Sequence, residues 1–145
     1  MKNFLEHFAS AASPFVQHWE GLRTSAYKCP LGVWTIGYGR TKGVREGDTC
    51  TKEQAAQWLL EDLTDTASRL ARYINVPVTE NQFIALVSLA YNIGVDGLAR
   101  KCPKLMRALN EKDYDGAAEQ FLDITNGGVP GLIARRKAEA ELMRS

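Results

Sequence analysis

A glutamate, a cysteine and a threonine stand close together near the start of this 145-residue chain, as Glu20, Cys29 and Thr35. A carboxylic acid can give a proton to a poor leaving group, and a thiol or hydroxyl can hold a water molecule. These three residue types could therefore hydrolyse a bond by protonating one side and delivering water to the other. Glu20 is the only acidic residue between Glu6 and Glu46, so no neighbour in the sequence could replace it.

The three cysteines of the sequence leave other interpretations open. A Cys29–His18 pair would suit nucleophilic hydrolysis, although the sequence offers no evident orienting group or oxyanion hole for it. Cys50 or Cys102 could trap Cys29 in a disulfide in an oxidising compartment, while three separate reduced thiols are the simpler alternative. With two histidines and no CxxC motif, the sequence predicts neither a metal site nor a cofactor.

The composition is that of one folded globular domain, with 45% hydrophobic and 24% charged residues. The net charge of +1 and a mild basic excess in residues 14–52 are too weak to predict nucleic-acid binding. No apolar run approaches the roughly 20 residues of a membrane span. The opening stretch MKNFLEHFASAASPF carries Glu6 and His7, so we predict no signal peptide, signal anchor or stable membrane association.

Apolar residues recur at helical spacing over residues 3–19, which predicts an amphipathic helix. Pro14 interrupts this pattern, and we expect a break there, with Ser13 capping a second helix. Short β-type segments follow at residues 27–41, where GVWTIGYG is typical of hairpin strands.

Two capping boxes mark later helices. Thr51 with Gln54 opens a long helix that continues to about residue 73, with an apolar residue at every fourth position. Thr79 with Gln82 opens FIALVSLAYNIG, which is apolar on nearly every side and therefore expected in the core. We expect Gly94 to end that helix, two more helices in LMRALNEKDYDGAAEQFLDI, and a last one in LIARRKAEAELMR.

These elements predict an α+β fold that is mostly helical, with a small antiparallel β-sheet lobe and a helical lobe joined by a long helix. We expect residues 1–145 to form a single domain. Its β-containing lobe would cover about residues 14–52, and its helical lobe about residues 53–145 together with the N-terminal helix.

The segment EGLRTSAYKCPLGVWTIGYG resembles the active-site segment of the phage-type lysozymes, the endolysins of glycoside hydrolase family 24. That family carries a Glu, eight residues, an Asp or Cys, five residues and a Thr, and Glu20, Cys29 and Thr35 fit both gaps. The likeness continues through TKGVREGDTCTKEQA, LVSLAYNIG, LMRALN and GGVPGLIARRKAEAEL, from about Phe15 to the end of the chain. It implies a lysozyme-like, two-lobed fold with a cleft between the lobes.

The resemblance gives the three residues roles in cutting a glycosidic bond. Glu20 would be the general acid, and partial burial at the end of its helix would favour the protonated form that it needs. Cys29 stands where the family more often has Asp, and with Thr35 it would orient the attacking water. An ordinary thiol is a poor base at neutral pH, so an inert packing role is the alternative for Cys29.

Three further positions follow from the resemblance. Arg40 replaces the family's usual histidine, whose Asp partner corresponds to Asp62, so an Arg40–Asp62 pair would tie the hairpin to the long helix. Asn92 matches a cleft position that hydrogen-bonds sugar, or else it caps its helix beside Gly94. Arg135 is expected near the catalytic acid as a substrate-binding or support residue, with plain surface charge as the alternative.

The resemblance implies an endolysin muramidase, which hydrolyses the β-1,4 bond between N-acetylmuramic acid and N-acetylglucosamine in peptidoglycan for host lysis. A catalytically inactive peptidoglycan-binding module of the same fold is the alternative. The enzyme would act as a monomer on glycan strands, without a nucleic-acid partner. It would wait in the host cytoplasm until a holin releases it to the periplasm and cell wall. Host range and stereochemical outcome, retaining or inverting, do not follow from the sequence.

Overall fold

Seven helices and one two-stranded antiparallel sheet make up residues 2–145, the part of the chain that the computed structural model describes. The predicted α+β class with mostly helical content is confirmed. The chain divides into two compact units, the first ending at Asp65 and the second covering Thr66–Ser145. The assignment of the whole chain to one domain stays a prediction.

Helix α1 runs without interruption from Lys2 to Glu20, so the break expected at Pro14 is wrong. A proline inside a helix removes one backbone hydrogen bond, here to the carbonyl of Ser10, and crowds that carbonyl. Both Pro14 and Ser10 are exposed, so water can solvate the freed carbonyl. The buried stripe on the other face continues through the proline and stabilises the helix on both sides, at Phe8, Ala9, Ala12 and Val16.

The sheet pairs β1 (Arg23–Lys28) with β2 (Trp34–Gly37). The predicted hairpin is confirmed in part: GVWTIGYG contains one strand, and its partner begins before the predicted β segment, at Arg23, and ends at Lys28. The missed strand, RTSAYK, has mostly exposed side chains, so it lacks the apolar alternation that marks a half-buried strand.

Helix α2 (Lys52–Ala71) begins at the predicted capping box. Gln54 N–H donates to the Thr51 hydroxyl at 3.1 Å, and Thr51 N–H donates to the Gln54 side chain at 3.0 Å. The apolar stripe is buried over its first four members, Ala55, Leu59, Leu63 and Ala67. Its last member, Ala71, is exposed and ends the helix.

The second unit contains the end of α2 and five further helices: α3 (Glu80–Ile93), α4 (Val95–Lys101), α5 (Pro103–Asn110), α6 (Tyr114–Phe121) and α7 (Pro130–Arg144). The capping box at Thr79 and the stop at Gly94 are confirmed, and every residue from Gln82 to Ala90 is buried. Helix α7 packs against α3 and α6, and α6 packs against α5. The short α4, VDGLARK, was not predicted, because seven residues with a central glycine carry little helical periodicity.

Within the described residues, no single helix has the length and apolar character of a membrane span. Only α3 and α4 taken together meet that standard, and the chain bends by 96° between them.

The predicted Arg40–Asp62 pair is confirmed, with Nη1 of Arg40 3.3 Å from Oδ1 of Asp62. Glu61 lies 3.5 Å from the same nitrogen, and the guanidinium also stands over the ring of Trp58. Burial raises the pKa of the Asp62 carboxyl, an effect that Arg40 opposes and the nearby carboxylates of Glu61 and Asp65 reinforce. Arg40 therefore makes the burial of Asp62 tolerable, and it ties the end of the hairpin to α2.

Replacing Arg40 by alanine should destabilise the protein at about pH 7, because the Asp62 carboxylate loses its nearest cation. Asp62→Asn should suppress much of that loss, and a double-mutant cycle by urea unfolding should give a coupling of about 0.5–1 kcal/mol. With a folded-state pKa above the unfolded value, Asp62 stabilises the fold at low pH and loses that contribution as pH rises through the folded pKa. The loss of unfolding free energy caused by Arg40→Ala should therefore become smaller as the pH falls from about 7 to about 4. A pH-independent penalty, or a coupling below about 0.3 kcal/mol, would contradict the pairing.

Candidate active site

A tight turn joins the two strands and holds Cys29 at its entrance. The Cys29 carbonyl accepts from the N–H of Gly32 at 2.8 Å, and Cys29 N–H donates to the Val33 carbonyl at 3.0 Å. Pro30 fits the second position of this four-residue turn, where φ is near its fixed value. Gly32 has φ of +81°, a conformation that side chains other than glycine rarely adopt. The sequence CPLGV thus sets the position of Cys29 through its backbone.

The turn also changes the chemistry of the Cys29 thiol. Hydrogen bonding from the backbone of Val33, and then from that of Leu31, lowers the pKa of Cys29. Desolvation opposes these effects but does not outweigh them, since the side chain is only half-buried. The thiol is therefore more readily ionised than an ordinary cysteine. The objection that an ordinary thiol is a poor base at neutral pH applies less strongly to Cys29.

Thr35 lies in β2 opposite Tyr27 and is only 5% exposed. Its hydroxyl donates to the Val33 carbonyl at 3.0 Å. Cys29 N–H and the Thr35 hydroxyl therefore share one acceptor oxygen, and the structure brings the two predicted site residues together. With its hydrogen engaged, the Thr35 oxygen keeps lone pairs that can accept a hydrogen bond from water.

Glu20 is the last residue of α1 and is half-buried. Gly21 follows with φ of +75°, and its N–H donates to the Gln17 carbonyl at 3.1 Å, which ends the helix. The chain then enters β1 at Arg23. Glu20 thus lies at the junction between α1 and β1, in the same unit as Cys29 and Thr35.

All three cysteines are free thiols. Cys50 N–H donates to the carbonyl of Thr24 at 2.9 Å, which places Cys50 near the far end of β1 from Cys29. Five residues of extended chain span roughly 16 Å, whereas the two Cα atoms of a disulfide lie within roughly 7 Å. Cys50 therefore cannot trap Cys29 in this fold. Burial raises the pKa of both Cys50 and Cys102.

Asn92 and Arg135, the predicted substrate residues, belong to a polar network in the second unit. Arg135 is 4% exposed, and its guanidinium donates to Glu139 at 3.3 Å and to the carbonyl of Ser88 at 3.1 Å. Arg136 and Glu139 are fully buried and form an ion pair. It is Arg136, not Arg135, that donates a hydrogen bond to the side-chain oxygen of Asn92.

Sequence reasoning left Arg136, Glu139 and Ser88 out of the site. A signal for the first two was present, because arginines three and four residues before a glutamate share one helix face with it. Ser88 carried no such signal. Its hydroxyl donates to Glu139 at 2.5 Å, from a different helix. Within residues 2–145, no group of three or more His, Cys, Asp or Glu side chains could hold a metal ion.

The chain is similar to known proteins over most of its length. Residues 17–139 match the family model described as phage lysozyme. The chain is 38% identical to an endolysin of Acyrthosiphon pisum secondary endosymbiont phage 1, over 96% of this chain and 99% of the relative. It is similar to the muramidase domain of SpmX from Asticaccaulis excentricus, with a TM-score of 0.85 and 34% identity over 93% of this chain and 95% of that one. A P22 lysozyme mutant gives a TM-score of 0.79 and 34% identity over 94% and 97%.

Iodoacetamide at about pH 7 should alkylate Cys29 at least about tenfold faster than Cys50 or Cys102, because only the thiolate reacts and only Cys29 has a lowered pKa. Peptide mapping by mass spectrometry of samples quenched over time would measure the three rates. The Cys29→Ser variant should lose the fast phase and nothing else. Faster labelling of either other cysteine would refute the thiolate-stabilising turn.

Proposed function

Since the chain belongs to the phage lysozyme family, we propose that Glu20, Cys29 and Thr35 carry out its reaction. The protein is an endolysin muramidase that lyses the host by hydrolysing the β-1,4 bond between N-acetylmuramic acid and N-acetylglucosamine in peptidoglycan. Its lysozyme-like fold is the one predicted from the sequence. The observation that carries the site proposal is the shared Val33 carbonyl, which holds Cys29 and Thr35 together beside one turn.

Glu20 is the general acid in this proposal. The glycosidic oxygen is a poor leaving group, and the Glu20 carboxyl donates its proton to that oxygen as the bond to the anomeric carbon breaks. The Glu20 side chain is half-buried at a helix end, so it keeps access to a substrate while its backbone is fixed. As the only acid between Glu6 and Glu46, it has no substitute within the motif.

Cys29 and Thr35 handle the attacking water. The water donates one hydrogen bond to the Cys29 thiolate and the other to the free lone pairs of Thr35. As the water oxygen bonds to the anomeric carbon, its proton passes to the thiolate. Exchange with solvent then returns a proton to Glu20 and removes one from Cys29. The backbone N–H groups of Val33 and Leu31 favour the thiolate that this step requires.

We also propose Asn92 and Arg135 for the substrate-binding side of the enzyme. The Arg135 guanidinium donates hydrogen bonds to Glu139 and to the Ser88 carbonyl. These bonds support a structural role for Arg135 beneath the substrate-binding surface rather than a direct contact with sugar. Release by a holin from the host cytoplasm is a further proposal, which is in keeping with the relatives named endolysins. Action as a monomer is proposed with it. Fractionating host cells with and without a co-expressed holin would test the release step.

Glu20→Gln should reduce lysis by about 10²–10⁴-fold with the fold intact, because the amide keeps the shape of the side chain but cannot donate the proton. Turbidity clearance of permeabilised bacterial cells measures activity, and circular dichroism checks the fold. Glu46→Gln is a matched control, since it removes an exposed acid from the same unit. A Glu20→Gln protein that keeps more than about a tenth of the activity would show that another group supplies the proton.

Cys29→Asp should stay active and should work at lower pH than the wild type. Residue 29 must be unprotonated to accept the proton of water, so activity falls as pH drops through its pKa. An ordinary aspartate titrates several units below an ordinary thiol, and the lowered pKa of Cys29 narrows that difference, so we expect the acidic limb of the pH–rate profile to move down by about one unit or more. Purified peptidoglycan is the substrate, and Cys50→Ser is the control that should not move the limb. An unmoved limb, or a fully active Cys29→Ala, would remove Cys29 from the mechanism.

A further inference from the structure

A groove of about 450 Å³ lies in the first unit, and none of the three proposed catalytic residues lines it. Its lining comes from one face of α1, the link to β1, the residue after β2 and the start of α2: Pro14, Gln17, His18, Leu22, Tyr38 and Lys52. Glu20 follows His18 by two residues and therefore projects from a different face of α1. The groove has the size of a small-molecule site and is separate from the reaction centre.

Half of the lining residues give the groove an apolar wall. Tyr38 is only 6% exposed, so its ring is a fixed part of that wall. Leu22 is half-buried, and Pro14 is exposed on α1. A ligand that carries a small apolar group can therefore remove it from water here.

The polar part of the lining contains cationic groups and no acid. Lys52 is the first residue of α2, and the capping box of Thr51 and Gln54 fixes where that helix begins. The ring of His18 packs edge-on against that of Trp19, with centroids 4.9 Å apart. Within residues 2–145, neither Lys52 nor His18 forms an ion pair. An ammonium group has donors only, so the groove favours an anionic acceptor.

Gln17 adds a hydrogen-bond acceptor to the same groove. Its Nε2 donates to the Ser13 hydroxyl at 3.0 Å, which holds the side chain in place. Its Oε1 has no hydrogen-bond partner in the part of the chain that the structure describes. That oxygen can therefore accept an N–H group from a ligand.

We propose that this groove is a binding site, outside the reaction centre, for the carboxyl end of a peptide, and that its ligand is the alanyl end of a peptidoglycan stem peptide. The proposal rests on peptidoglycan being the substrate. A terminal alanine carries a carboxylate for Lys52 and His18, an amide N–H for Gln17 and a methyl group for the apolar wall. A phosphate group would use only the cations, since it has neither an amide N–H nor a methyl group.

Such a contact touches none of the reacting atoms. It would be equally strong in the ground state and the transition state, so it would lower KM and leave kcat unchanged. The groove would thus hold the enzyme on peptide-bearing strands while the reaction centre works on the sugar chain.

Titration of the full chain with acetyl-D-alanyl-D-alanine, followed by NMR, tests the site without any turnover. We expect a Kd on the order of 1 mM, with the largest amide shifts at His18, Leu22 and Lys52. The same dipeptide with a C-terminal amide should bind about fivefold more weakly, because it lacks the carboxylate. Phosphate that binds the groove as tightly as the dipeptide would overturn the peptide assignment in favour of a general anion site. A dipeptide that shifts no groove residue would overturn the site itself.

Three variants identify the groups that make the contact. Lys52→Gln should weaken the dipeptide about fivefold, and Lys52→Arg should not, because a guanidinium also donates to a carboxylate. Lys137→Gln is the matched control, since it removes the same charge from an exposed position in the second unit. An equal loss in Lys137→Gln would show that net charge, and not the groove, governs binding. Leu22→Ser should weaken the dipeptide but not phosphate, and an equal effect on both would refute the apolar contact.

Glycan strands with and without their stem peptides connect the groove to the enzyme reaction. We expect Lys52→Gln to raise KM about fivefold on peptide-bearing strands at unchanged kcat, and to match the wild type on stripped strands. A fall in kcat, or the same rise in KM on stripped strands, would contradict the proposed role. If the wild type cleaved neither substrate, the muramidase function would fail, while the dipeptide titration would still report on the groove.

Discussion

The geometry of the proposed reaction centre depends on one carbonyl oxygen. The Val33 carbonyl accepts hydrogen bonds from the backbone N–H of Cys29 and from the hydroxyl of Thr35. A single group therefore fixes the positions of both residues that are proposed to bind the attacking water. The bonds are short-range and lie within a turn that Pro30 and Gly32 hold in place. A main-chain acceptor suits this task because it is fixed by the strand pairing and does not change its charge with pH.

The same turn explains how a thiol can occupy a position where a carboxylate is commoner. A carboxylate is ionised at neutral pH without help, whereas a cysteine needs its charged form stabilised. Backbone N–H groups supply that stabilisation here, from Val33 first and Leu31 second. For Cys50 and Cys102 burial is the largest effect, and it raises the pKa of both thiols. The pKa shifts of the three cysteines therefore differ in direction because of local backbone geometry and burial, which their spacing in the sequence does not reveal.

Sequence patterns predicted the parts of the fold that depend on local chemistry. Both capping boxes formed, because each needs only a hydroxyl and an amide three residues apart. The break predicted at Pro14 is wrong because burial of a continuous apolar stripe stabilises the helix by more than the one lost hydrogen bond costs. Arg135 and Arg136 are neighbours that look alike in the sequence, and only the packing of α7 against α3 decides that Arg136 is the one that reaches Asn92. The hairpin turn could be predicted, but the two bonds to its Val33 carbonyl could not, since they depend on strand register.

The polar groups proposed to meet substrate share one property: each retains bonding capacity after its structural bonds are made. Thr35 has used its hydrogen and keeps lone pairs, Asn92 has used one lone pair of its oxygen and keeps its NH2 group, and Cys29 is held by its backbone with its sulfur free to take a proton. The structural bond fixes the orientation of each group and also determines whether it will donate or accept. In the second unit this requires burying Arg136 and Glu139, which costs several kcal/mol per ion unless the charges are paired and fully hydrogen-bonded. Ser88, Arg135 and the Ile124 carbonyl complete that pairing. The buried network thus fixes the orientation of the Asn92 amide at the end of α3.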